Sequence, residues 1–273
     1  MLIKRIFTAL VLLPLTIYLI LQNNNSVLII SISLIFVLAC LEYSSLIGLK
    51  GKPWKAVYIL LLLVAFYFLN SQAIDFMPYW QIFFLFFSAL WWLFNTYQVL
   101  TYPQSFAPWK QSILLRLVAG GLIFLPMLVS LAAIHRIDNN ALLLLFLIVW
   151  ASDSGAYFFG RTFGNYKLCQ NVSPAKTTEG AIGGVLLSLL AVNLYLYFVY
   201  HPASISQYYY FSILSIAVSF ASIAGDLFES AIKRTANVKD SGYLLPGHGG
   251  IFDRIDSLTA AAPFFFLIFI VIT

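Results

Sequence analysis

Charge is what this sequence has least of. Lysine, arginine, aspartate and glutamate together make up 9% of its 273 residues, where a soluble domain carries about a quarter. That scarcity leaves no room for a large soluble domain between the apolar runs. With 62% hydrophobic residues and a mean hydropathy of +0.92, the chain reads as a polytopic membrane protein. Cysteine is scarce as well. Cys40 lies in an apolar run and Cys169 in a polar loop, so no disulfide is expected. His135, His201 and His248 are far apart in topology and neither cysteine joins them, which argues against a zinc site. The phosphate loop GxxxxGK[ST] is missing, as are internal repeats and low-complexity linkers. The net charge of +5 does not mark a nucleic-acid partner; it is the basic excess that cytoplasmic loops carry.

What is present begins with nine apolar runs, at 6–22, 27–48, 55–70, 78–100, 112–134, 140–160, 180–200, 208–226 and 257–272. Each is near the ~20 residues that cross a bilayer as a helix. The expected fold is therefore all-α, with nine spans. Lys4 and Arg5 before an apolar core resemble a signal peptide, but no small-x-small cleavage site follows, so this run is read as a retained first span. With the N-terminus in the cytoplasm, 14 of the 15 basic residues fall inside and only Arg136 outside, a strong positive-inside pattern. Trp80, Trp91, Trp92 and Trp109 suit membrane interfaces, with some of them open to a core role.

The acidic residues are distributed unevenly. Glu42, Asp75 and Asp138 are scattered through the first half, whereas Asp153, Glu179, Asp226, Glu229, Asp240, Asp253 and Asp256 lie in the second. This divides the chain into a membrane scaffold, 1–144, and a catalytic region, 145–273. The densest stretch is Gly225 to Ser257, where nine of the 25 charged residues occupy 33 positions. Charge that dense at the edge of a membrane domain is costly unless it binds something. Acids and bases alternate there, so the expected ligand combines metal cations with phosphates.

Within that stretch Asp226, Glu229, Ser230 and Lys233 are spaced i, i+3, i+4, i+7, which puts them on one helical face continuing the eighth span into the cytoplasm. Pro246, Gly247, Gly249 and Gly250 form a permissive turn whose amides can approach an anion. Asp253 and Asp256 follow one turn apart. Capping explains one of them, but not both with Arg254 between. Carboxylate pairs from opposing helices suit a hard cation, Mg²⁺, with open positions for waters or substrate phosphates. Upstream, Asp153 also needs a partner inside its apolar run. The loop Ser173-Pro174-Ala175-Lys176-Thr177 before a helix has the composition of a phosphate-binding helix N-terminus.

Residues 230–256 resemble the signature of the phosphatidate cytidylyltransferases, or CDP-diacylglycerol synthases, S-x-x-K-R-x4-K-D-x-G-x3-P-G-H-G-G-x-x-D-R-x-D. Every fixed position is met. W-x-x-D-S-G-A-Y-x-x-G at 150–160 and S-P-x-K-T-x-E-G at 173–180 resemble the family too, with Ala175 standing where most members have glycine. The strong resemblance covers residues 145–262. It implies a bacterial inner-membrane nucleotidyltransferase of phospholipid biosynthesis that joins CTP and phosphatidate into CDP-diacylglycerol and pyrophosphate. Mg²⁺ is the implied cofactor, with a second cation left open. The implied partners are CTP, phosphatidate and membrane lipid, with a homodimer left open and no nucleic acid. Asp226 and Asp253 are the expected leading metal ligands, supported by Asp256 and Glu229. Lys233, Lys239 and Arg254 join the two aspartates as candidate catalytic residues. Ser173, Lys176, Thr177, Arg234, His248, Gly249 and Gly250 are the candidate substrate contacts. Which phosphate each basic residue meets stays open.

Two other functions fit less well. A CTP-dependent lipid kinase would transfer the γ-phosphate, and the complete signature argues against it. An ion-coupled transporter would carry its acids near mid-membrane, often within internal repeats; here they cluster at one surface. The D-x-x-D-G-x-x-A-R motif of CDP-alcohol phosphotransferases is absent. The basic-residue asymmetry predicts that a cysteine placed at position 201 is labelled by an impermeant thiol reagent from the outer face. Labelling from the cytoplasm alone would contradict the nine-span arrangement.

Overall fold

A computed structural model describes residues 2–22, 24–71, 79–202, 204–244 and 249–272, without the side chains of residues 2–9 and 12. Asp75, Pro246, Gly247 and His248, and the side chains of Lys4 and Arg5, lie outside the described set. The chain folds into helices α1 (Leu2–Leu21), α2 (Asn25–Leu46), α3 (Lys52–Ser71), α4 (Tyr79–Leu100), α5 (Ala107–Gln111), α6 (Ile113–Ile137), α7 (Asn139–Phe163), α8 (Thr178–Tyr195), α9 (Ile205–Thr235) and α10 (Phe252–Ile272). Among the described residues, α2, α3, α4, α6, α7, α8 with its π-helical extension Leu196–Tyr200, α9 and α10 are eight helices long and apolar enough to cross a membrane. Lipid offers no hydrogen bonds, so each apolar segment satisfies its backbone internally as a helix. The remaining apolar run forms the 20-residue helix α1. The chain is an all-α polytopic membrane protein.

Helices α6, α9 and α10 form the buried centre, with α10 packed on α9 and also on α6, α4 and α2. Phe228 of α9 anchors this centre. It sits among Trp91, Trp92 and Trp109, each with ring centroids 5.5 Å away. Trp92 and Trp109 are therefore core residues rather than interfacial ones, because they pack edge-on around a buried phenyl ring. Trp80, by contrast, is exposed.

Helices α7 and α8 meet along a seam of small residues. A Cβ added at Gly155 would lie 2.5 Å from the Gly183 carbonyl oxygen and 2.9 Å from the Gly184 Cα. Small residues let helix backbones approach in lipid, where packing rather than water exclusion drives association. This seam sets the packing of the stretch of α7 that carries Asp153, two residues before Gly155.

Two segments differ from the sequence expectation. The 173–177 stretch is not a loop but strand β2 (Ser173–Thr177), paired antiparallel with β1 (Lys167–Cys169). The hairpin is tied to α8 because Glu179 accepts from the Tyr166 amide at 3.2 Å, and Thr178 donates to the Tyr166 carbonyl at 2.9 Å. Cys169 is correspondingly buried rather than placed in a polar loop, with its thiol donating to Val99 O at 3.3 Å; both cysteines are free. The last helix begins at Phe252, ahead of its apolar run, with Asp253 in the first turn as expected, where a carboxylate is favourable.

Gly155→Ala is expected to push α7 and α8 apart and lower stability by about 1–3 kcal/mol, as overpacking does. Thermal unfolding of purified protein in detergent checks this. An unchanged melting temperature would show that the seam has room.

Candidate active site

Helix α9 runs 31 residues, well beyond what a bilayer requires, and carries its charged face out of the apolar core. It stops in a Schellman turn. Asn237 adopts a left-handed φ of 57°, Val238 N donates to Lys233 O at 2.9 Å, and Asn237 N donates to Arg234 O at 3.1 Å. That turn sends residues 239–244 back toward the start of α10.

The centre of the cluster is Lys233. Its ammonium lies 2.5 Å from Glu229 Oε2 and 2.6 Å from Asp253 Oδ1, and all three side chains are nearly closed to solvent. Glu229 and Lys233 are i,i+4 neighbours on α9, whereas Asp253 comes from α10, so one cation links two helices. The second oxygen of Asp253 accepts from Ser241 N at 3.0 Å and Gly250 N at 2.8 Å. Gly249, before it, has φ 83°, where a side chain would be strained and where an added Cβ would lie 2.7 Å from Asp253 Oδ2. Asp253 thus organises the glycine turn with both oxygens engaged.

A second group faces it. Asp226 forms an ion pair with Lys176 of β2 and lies 3.5 Å from Ser230 Oγ. Gly225 brings α9 hard against α10: a Cβ there would lie 2.5 Å from the Asp256 carbonyl oxygen. Asp256 is buried, with one carboxylate oxygen accepting from Ser257 N at 2.7 Å.

Two adjoining cavities meet at this group. One, of about 420 Å³, is lined by Asp153, Lys176 and Asp226 together with apolar Leu168, Ala181 and Ile223. The other, of about 340 Å³, is polar, and Asp153, Asp226, Lys233, Lys239, Arg254 and Asp256 are among the residues that line it. Asp153 and Asp226 border both. Asp240 and Asp253 line the polar cavity too, so the structure gathers five aspartates, from α7, α9, α10 and the segment before α10, around one polar space with cations at its rim. Among the described residues, no three Asp, Glu, His or Cys side chains converge at ligand distance as they stand. The donor chemistry nevertheless suits a hard cation, because carboxylate oxygens are what Mg²⁺ takes.

The other expected contacts are placed as follows. Arg234 donates from Nε to Val172 O at 3.1 Å and from Nη1 to Val238 O at 3.4 Å, which pins the hairpin to the end of α9. Thr177 spends its hydroxyl on capping α8, accepting from Gly180 N at 3.1 Å. Ser173 begins β2, at the end away from α8. Lys239 and Arg254 are exposed at the polar cavity. Gly249 and Gly250 shape the turn, and His248 lies outside the described residues. Two acids escaped assignment from sequence. Asp153 was signalled by its place in an apolar run and in W-x-x-D-S-G. Glu42 is a lone acid in α2 whose partners are some 200 residues away.

The chain is 41% identical over 188 residues to a phosphatidate cytidylyltransferase of Haemophilus influenzae, an alignment covering 64% of each chain, short of two thirds. It is 38% identical over 271 residues to the Pseudomonas aeruginosa protein of that name, covering 97% of this chain and 96% of the relative. The Bacillus subtilis protein of that name is 39% identical over 138 residues, half of each chain. A family match extends over residues 3–272, and so includes the helices of the first half as well as the charged cluster. On that full-length match the chain belongs to the cytidylyltransferase family.

Proposed function

We propose that this protein joins CTP to phosphatidate, forming CDP-diacylglycerol and pyrophosphate at the inner face of a bacterial cytoplasmic membrane. The observation that carries the reading is the shared position of Asp153 and Asp226, which border an apolar-walled cavity on one side and a polar one on the other. A reaction between a lipid phosphate and a soluble nucleotide needs both.

A phosphate oxygen of phosphatidate attacks the α-phosphorus of CTP. The new P–O bond forms as the bond to the bridging oxygen breaks, and pyrophosphate leaves with that electron pair. The nucleophile is already anionic near neutral pH, since the second pKa of a phosphomonoester is about 6. It therefore needs little help from a base. The obstacle is repulsion between two polyanions. Lys176, Lys239 and Arg254 neutralise phosphate charge at the rim, while Lys233, held by two carboxylates, fixes the floor. Asp226, with Asp153 and Asp256, would hold Mg²⁺, which supplies Lewis-acid polarisation of the phosphates when bound. Asp253 and Glu229 serve Lys233 and the glycine turn. Lys176 pairs with one oxygen of Asp226, and its ammonium would meet a phosphate bound beside that carboxylate. The N-terminus lies in the cytoplasm, α1 is the ninth span, and the protein works as a multi-pass enzyme to which CTP arrives from the aqueous side.

Purified protein in detergent, given phosphatidate and CTP labelled at either the α- or the γ-phosphate, tests this reading. Label from the α position is expected in the lipid product, with release of pyrophosphate. Transfer of the γ label with release of CDP would overturn it in favour of a lipid kinase. Lys176→Ala is expected to lower kcat/KM about tenfold or more, the size of a lost charge-assisted phosphate contact. Near-normal kinetics would leave the Lys176–Asp226 pair a purely structural one.

A further inference from the structure

Glu42 sits in the middle of what reads as scaffold, yet its carboxylate reaches the glycine turn of the active site. It is buried, and its Oε2 accepts from Ser241 Oγ at 3.0 Å and from Phe252 N, the first residue of α10, at 2.9 Å. Ser241 carries the connection onward. Its hydroxyl accepts from Asp253 N at 3.2 Å, and its own amide donates to Asp253 Oδ2 at 3.0 Å. Asp253 then binds Lys233 at 2.6 Å. The turn is shaped around the carboxylate. A Cβ at either Gly242 or Gly250 would collide with the Glu42 side chain, so both glycines are required for the close approach. Neighbouring aromatic packing holds α2 against this point: Tyr43 meets Phe252 edge-on at 5.8 Å, and its hydroxyl donates to Arg116 O at 2.6 Å.

Among the described residues no basic side chain pairs with Glu42, and its Oε1 has no hydrogen-bond partner. A buried carboxylate without a cation is costly. Packing alone would be served better by leucine at this position. Its value lies in the acceptor that it offers to an amide and a hydroxyl which would otherwise be orphaned at the start of α10.

We infer that Glu42 is a positioning residue for the transfer reaction, acting from the N-terminal half through Ser241 to set Asp253 and hence Lys233. The inference rests on the site reading of the preceding subsection. Glu42→Ala, Glu42→Gln and Ser241→Ala, with Lys176→Ala as a control, separate the two. Each variant is assayed for cytidylyl transfer after its melting temperature in detergent confirms a folded protein. Glu42→Ala is expected to lose about tenfold or more in kcat/KM, as removal of an acceptor from two buried donors does. Glu42→Gln keeps an oxygen in the same place and is expected to recover to within about threefold of wild type. Full activity in Glu42→Ala, or equal damage in the alanine and glutamine variants, would overturn the inference. If Glu42→Ala does not fold, Ser241→Ala decides: a loss of about threefold or more supports it, and unchanged kinetics overturns it. Impaired Lys176→Ala beside fully active Glu42→Ala would reject Glu42 alone. Full activity in Lys176→Ala would leave the Lys176–Asp226 pair structural without touching the Glu42 inference, whereas transfer of the γ label by the wild-type protein would reject the reading of the reaction and this inference with it.

Discussion

A single ammonium group, that of Lys233, has two carboxylates within 2.6 Å and little exposure to solvent. In so dry a place neither the cation nor the two anions is tolerable alone, and removing one member leaves an uncompensated buried charge. The pairing has consequences in three directions. Through Glu229 it ties down the charged C-terminal part of α9. Through Asp253 it joins α9 to α10. Through the second oxygen of Asp253 it fixes the amides of Ser241 and Gly250, and with them the glycine turn. The charged surface that faces the cavities is therefore a consequence of one internal ion-pair group, whose exposed neighbours Lys239 and Arg254 remain at the rim.

Apolar packing sets the stage on which this group forms. Phe228, one residue before Glu229, is enclosed by tryptophans from α4 and α5, so the helix that carries the acids is held on its opposite side by rings. Close contact at Gly225 brings Asp226 beside α10, and the glycine seam between α7 and α8 presents Asp153 to the same space. Carboxylates from three helices meet because small residues allow those helices to approach. Membrane helices gain little from hydrophobic association and depend on such fit.

Much of this was legible in the sequence. Apolar runs near 20 residues translate into helices almost without alternative in a bilayer, and the i, i+3, i+4, i+7 spacing of Asp226, Glu229, Ser230 and Lys233 placed them correctly on one face. Among the described motif residues, Lys233, Gly250 and Asp253 meet at one point. What stayed hidden depends on contacts far apart in the chain. Lys176 pairs with Asp226 across 50 positions, and its strand is too short and too near a proline to announce itself as anything but loop. Arg234 lines the polar cavity, but its donation to the Val172 carbonyl, 62 positions away, could not be read from composition. Glu42 looks like a stray acid in a scaffold helix because nothing local shows that the glycine turn folds back onto it.

The most direct test of the account is the stability of Lys233→Met, a variant of similar length that keeps the apolar stem and deletes the charge. Loss of one partner from a buried ion-pair group costs about 3–5 kcal/mol. The account predicts a clear fall in melting temperature in detergent, partly restored when Glu229→Gln is added, because the second change removes one of the two stranded anions. A Lys233→Met protein that melts like the wild type would contradict it, and would mean that the charged cluster is held together by the surrounding helices alone.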